Sequence, residues 1–132
     1  MDVKRFLLVA LVASLPMFSP PVIAHHGSAA YDLSKVTTMK GTVTDFQFIN
    51  PHVEIYLDVT SPAGDVQKWV AEGVSVGSMA RGGWTRNTLK VGDQITIEGH
   101  SARNGSRAMI LNKIVLSDGR PLTTERADDY AN

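Results

Sequence analysis

Apolar and polar positions alternate in short segments from Val36 onward, with turn residues between the segments and little 3.6-residue periodicity. Val53, Ile55, Leu57 and Val59 alternate with Glu54, Tyr56, Asp58 and Thr60, which describes a strand with one buried and one wet face. Before it, Val36 to Phe48 is rich in Thr, Val and Phe and reads as a first strand; Gly41 marks a bend or bulge inside it, and Asn50-Pro51 a break after it. Pro62-Ala63-Gly64-Asp65 is a hairpin turn by composition and introduces a third strand, Gln67 to Glu72. Ser75 to Arg81 is the one segment that reads as a helix, with Ser75 as N-cap and Gly82 as terminator. After Val91-Gly92-Asp93 comes a fourth strand, Gln94 to Ser101; Asn104-Gly105 is a tight turn, and Arg107 to Leu116 a fifth strand.

Five strands with a short helix between the third and fourth is the order of an oligonucleotide/oligosaccharide-binding (OB) barrel, a mainly β Greek-key closure that limits exposed sheet edges. A sandwich of this size would need about seven strands. Expected core residues are Val43, Val53, Ile55, Leu57, Val59, Trp69, Ile95, Ile97, Ile110 and Ile114.

The N-terminus departs from this pattern. Lys4 and Arg5 precede an apolar run from Phe6 to Leu15, then a Pro-rich stretch ends in Val22-Ile23-Ala24. This is the layout of a secretory signal, and the run is too short for the roughly 20 residues that cross a bilayer. Small residues at Val22 and Ala24 suit cleavage before His25, with no membrane anchor left afterwards. The expected organisation is therefore a signal peptide over residues 1–24, an arm over 25–35, a barrel over 36–119 and a polar, frayed tail over 120–132. Cleavage would leave 11 basic against 12 acidic residues, a balance that argues against a nucleic-acid partner. Cysteine is absent, which excludes disulfides, thiol nucleophiles and Cys-based zinc sites.

His25-His26-Gly-Ser, Tyr31-Asp32, Lys40-Gly41-Thr42-Val43, Asn50-Pro51-His52, Gly83-Trp84-Thr85-Arg86 and Leu89-Lys90-Val91-Gly92-Asp93 together resemble a family of small exported bacterial proteins of unknown function. The resemblance runs from His25 to Gly119. It implies a periplasmic location and a barrel-like fold, and it carries no catalytic residue.

Four histidines are candidate metal ligands: His25, His26, His52 and His100. Once His25 is the first residue, its α-amino group and imidazole can chelate one metal ion. A third nitrogen would complete a T-shaped histidine brace, a ligand set that suits copper. His52 shares strand parity with Glu54 and Tyr56, away from the core, and is the favoured third ligand. His100, two residues after Glu98 on the wet side of its strand, is an alternative or supporting group. Against this, His25 and His26 can be a solvated arm, and His52 can cap its strand. Met39, Met79 and Met109 are soft donors or core filler.

The loop after the helix sets Trp84 between Arg81 and Arg86, a pairing suited to holding a periplasmic protein or an envelope glycan; alternatively, Trp84 plugs the barrel end. Phe46, Phe48, Tyr56 and Trp69 offer a further stacking platform. The His-Glu-x-x-His motif of zinc hydrolases is missing. The readings are thus an exported, non-enzymatic binding domain taking copper or another transition metal, a metal-free interaction module, and, third, a copper-dependent oxidase.

Overall fold

A computed structural model of the chain describes residues 27–124. The signal segment, His25 and His26 lie outside the described residues, as do residues 125–132 of the tail.

Among the described residues the strands are β1 (Thr37–Gln47), β2 (Glu54–Thr60), β3 (Val66–Glu72), β4 (Gln94–Ser101), β5 (Ala108–Val115) and β6 (Pro121–Thr123), with one α-helix, α1 (Val76–Arg81). The first strand pairs with both β2 and β4, β2 with β3, and β4 with β5, all antiparallel; a parallel β3–β5 pairing then closes the sheet into a five-stranded barrel. This is OB topology, with α1 between β3 and β4 as expected.

Turn chemistry sets the register. The Ser61–Asp65 turn places Gly64 at φ 92°, a conformation glycine adopts without penalty, and Ser61 N–H donates to the Asp65 carbonyl at 2.8 Å. Thr60 therefore faces Val66, and one-for-one pairing along the ladder brings Leu57 opposite Trp69 and Glu54 opposite Glu72. Ser75 caps α1, its hydroxyl accepting from Ser78 N–H at 3.3 Å.

Of the expected core, every residue but Trp69 is buried, and Trp69 packs against the core half-buried. Ile110 is buried on the outer side of β5, apart from the central cluster. Met79 and Met109 are fully buried and Met39 packs against the same cluster, so all three methionines are core filler. Phe46 and Phe48 likewise pack against the core, their ring centroids 5.8 Å apart, and form no outward stacking platform with Trp69.

Two local expectations are corrected. The irregularity in β1 falls at Thr44, which has no partner between the Val43–Leu57 and Asp45–Tyr56 pairs. Gly41 instead marks a close approach, since a Cβ there would sit 3.1 Å from the Asp58 carbonyl oxygen. The tail, expected to fray from Arg120, opens with β6: Leu122 faces Ile114, and Thr124 is buried with its hydroxyl donating to the Leu111 carbonyl at 3.2 Å. Three residues are too few to show alternation, so no pattern announced this strand. Among the described residues no helix is long and apolar enough to cross a membrane.

Candidate functional site

Strand parity puts Glu54, Tyr56 and Asp58 on the outer face of β2, and β3 adds Lys68 and Glu72 to that face through the cross-strand pairs. His52, two residues before Glu54, lies at the same edge. Its Nδ1–H donates to Glu72 Oε1 at 2.7 Å, and the two side chains are about a third exposed, at 35% and 30%. The other carboxylate oxygen, Oε2, accepts from the Tyr31 hydroxyl at 3.3 Å. Beside them, the Tyr56 hydroxyl donates to Glu54 Oε2 at 2.6 Å. That hydrogen bond to a carboxylate, followed by partial burial and the negative charges of Glu54 and Asp45, pushes the Tyr56 phenol above its usual range.

The backbone of Glu72 is held on both sides. It pairs with Glu54 of β2 on one side and with Ile110 of β5 on the other, at the seam where the barrel closes. A carboxylate on Nδ1 fixes the imidazole tautomer whose lone pair lies on Nε2, the same arrangement that orients histidines in metal centres.

Tyr31 reaches the site from the N-terminal arm. A single 3-10 turn, Ser28–Ala30, leads into it, and its backbone bridges to Ala102 beyond β4. Asp32 N–H donates to the Ser101 carbonyl at 2.9 Å, Arg103 N–H to the Ala30 carbonyl at 2.9 Å, and Arg103 Nε to the Tyr31 carbonyl at 3.0 Å. The described part of the arm is thus docked onto the barrel. Asp32 is held below the usual carboxylate range, first by the Ser34 hydroxyl, which donates to it at 2.6 Å.

His100 lies on the outward side of β4, as its parity requires, but it is 3% exposed because the arm covers it. Its Nδ1 donates to the Lys35 carbonyl at 2.9 Å, so Nε2 accepts from the Asn112 amide at 3.0 Å. With both ring nitrogens hydrogen-bonded and the ring buried, His100 clasps the arm to the barrel and does not lie on a wet face. The Asn112 Oδ1 atom beside it is buried without a hydrogen-bond partner. The expected neighbour, Glu98, pairs instead with Lys113 at 2.9 Å.

Trp84 is 1% exposed; its indole N–H donates to the Thr123 carbonyl at 3.0 Å and its ring lies 6.3 Å from that of Phe46. It plugs the barrel and anchors β6, which removes it from the loop's outer surface. Arg81 and Arg86 stay exposed, with Arg81 donating to the Ser78 hydroxyl at 3.0 Å. Among the described residues no group of three or more His, Cys, Asp or Glu side chains is arranged to hold a metal ion. Any such site at His52 needs donors from outside residues 27–124.

Sequence reasoning selected His52 but missed Glu72 and Tyr31. The signal for Glu72 was available in part: an outward-facing carboxylate on the strand that a short turn pairs with β2.

Residues 12–111 match the model of a family of unknown function, DUF6152. No curated protein matches the chain. Among solved structures, a mitochondrial single-stranded DNA binding protein of S. cerevisiae, Rim1, aligns with a TM-score of 0.48 and 9% identity, covering 63% of this chain and 93% of that one.

Proposed function

We propose that this chain, which belongs to the DUF6152 family of unknown function, is an exported, non-enzymatic binding domain that takes a transition metal, copper first, through His52 and the N-terminal histidines His25 and His26. In this reading a signal peptidase cuts after Ala24 and the mature protein works in the periplasm. The α-amino nitrogen and imidazole of His25 supply two donors and His52 Nε2 a third, a tetragonal nitrogen set that suits Cu(II). His26 stands next to the chelate as an assisting ligand.

The observation that carries the reading is the 2.7 Å bond from His52 Nδ1 to Glu72, which presents an imidazole in the tautomer and with the carboxylate backing that metal ligands use. The arm supports it. Tyr31 touches Glu72 and lies six positions after His25, and six residues span up to about 20 Å when extended. The N-terminal donors are therefore within chain reach of His52. The metal-free alternative, a protein or glycan held by the Trp84 loop, loses its aromatic anchor to the core.

Calorimetric titration with Cu(II) tests the reading on three proteins: the chain starting at His25, the same chain extended by one alanine, and His52→Ala. We expect one tight equivalent for the first and a loss of at least tenfold in affinity for the other two, because the extension moves the amine away from the imidazole. Equal affinity in all three would overturn it.

A further inference from the structure

We infer that Asn104, in the turn between β4 and β5, is a site of spontaneous covalent modification: the backbone nitrogen of Gly105 attacks its side chain, and the asparagine is converted to aspartate and isoaspartate. This is independent of the copper reading.

Of the four asparagines among the described residues, Asn104 alone has the neighbour this chemistry needs. Asn50 precedes Pro51, whose nitrogen carries no proton to give up. Asn87 precedes Thr88, where a branched Cβ crowds the nitrogen and the N–H donates to the Thr85 carbonyl at 3.1 Å. Asn112 lies inside β5, and its neighbour Lys113 is paired with Glu98 on one side and Thr123 on the other. Asn104 is followed by a glycine at φ 78°, and residues 103–107 are all exposed.

Two hydrogen bonds prepare the turn. Ser106 N–H donates to Asn104 Oδ1 at 2.9 Å, which folds the side chain over the following peptide and draws electron density from Cγ. The same N–H stands where negative charge collects on Oδ1 when Cγ is attacked, the role that backbone donors play in acyl transfer. The attacking nitrogen is loosely held. Gly105 N–H reaches the Ala102 carbonyl at 3.3 Å, whereas the other positive-φ glycines among the described residues make their amide hydrogen bonds at 2.8 to 3.0 Å.

The reaction balances with water alone. Gly105 N gives its proton to solvent hydroxide and bonds to Cγ; the Cγ–Nδ2 bond breaks, and Nδ2 leaves as ammonia after taking a proton from water. Water then opens the resulting five-membered succinimide at either carbonyl. Opening at Cγ leaves aspartate; opening at the main-chain carbon leaves isoaspartate, in which the chain runs through Cβ and Cγ. One water is consumed and one ammonia released, with no change of oxidation state. The change falls beside Arg103, whose N–H and Nε hold the Ala30 and Tyr31 carbonyls, so it alters charge and main-chain length next to an anchor of the arm.

The test incubates the purified chain for days to weeks in mildly alkaline buffer at body temperature, beside its Asn104→Gln, Gly105→Ala and Asn87→Gln variants, each checked for folding by far-UV circular dichroism. A Cβ at Gly105 meets nothing within 4 Å, so the alanine variant disturbs no packing. Intact mass should rise by one dalton, the difference between the water gained and the ammonia lost. A lysine-specific protease should release Val91–Lys113 with the change at Asn104, in two chromatographic peaks of equal mass, one of them labelled by an isoaspartate-specific methyltransferase. Asn104→Gln should abolish the change at this position, because glutamine must close a slower six-membered ring. Gly105→Ala should slow it at least tenfold, because a Cβ crowds the attacking nitrogen, and Asn87→Gln should leave it as it was. No mass gain in the folded chain, a gain confined to other residues, or a rate indifferent to Gly105→Ala would overturn the inference.

Discussion

Replacing Trp84 by alanine asks whether the residue belongs to the barrel interior or to a binding loop. Its side chain is 1% exposed, so the substitution removes essentially all of the buried indole. A Trp side chain buries about 150–250 Å², which at about 25 cal/mol per Å² corresponds to roughly 4–6 kcal/mol; measured Trp-to-Ala substitutions in cores cost about 3–5 kcal/mol after relaxation. The Thr123 carbonyl also loses its 3.0 Å partner, a further cost of about 1–3 kcal/mol where it stays dry. Against a total stability of about 5–15 kcal/mol, Trp84→Ala should bring the domain close to unfolding. Trp84→Phe separates the contributions, because it keeps a ring against Phe46 while losing the N–H, and should cost about 1–3 kcal/mol. Urea denaturation followed by far-UV circular dichroism reads both, with the alanine midpoint lowered by at least about 1 M. An alanine variant within about 1 kcal/mol of the unaltered protein would refute the plug assignment and return Trp84 to the surface.

Other consequences follow from single contacts. Gly99→Ala puts a Cβ into the Ile110 carbonyl oxygen across the β4–β5 ladder, so it should cost more than about 3 kcal/mol and lower the thermal midpoint sharply in calorimetry. His100→Ala leaves the Lys35 carbonyl and the Asn112 amide without their partner; a loss of about 2–4 kcal/mol and faster proteolysis between residues 27 and 36 are expected, with unchanged cleavage counting against the clasp. Tyr56 should ionise later than an ordinary tyrosine in an absorbance titration, because the neutral phenol is the form that donates to Glu54. Its folded-state value is raised, so its contribution to stability is complete below the ordinary phenol range and is lost as pH rises through the raised value. Glu54→Gln should bring Tyr56 back toward an ordinary phenol, and an unmoved titration would remove Glu54 as the cause.

How much of this was legible depends on how local each determinant is. The alternation in Val53 to Thr60 predicted both the buried side of β2 and the outward placement of His52, because strand parity is a property of adjacent residues. The same rule placed His100 on the outer side of β4, yet its burial depends on the arm from Tyr31 to Lys35, far away in sequence. Glu72 was only partly readable as the partner of His52 for a related reason: the pairing follows from the register that the Ser61–Asp65 turn sets, and a slip of one residue would turn Glu72 inward. Trp84 carried equal chemical signals for a loop anchor and a core plug. What decided it was the carbonyl of Thr123, on a strand of three residues whose composition reads as tail.

Copper bound to the protein as it is exported bears most directly on the proposed function. The mature protein, recovered from the periplasm of an expressing bacterium, is weighed intact and its Cu(II) complex examined by electron paramagnetic resonance. The account predicts a mass beginning at His25, one copper per chain and nitrogen hyperfine splitting that changes when His52 is replaced by alanine. A different first residue, or a spectrum indifferent to His52, would contradict it.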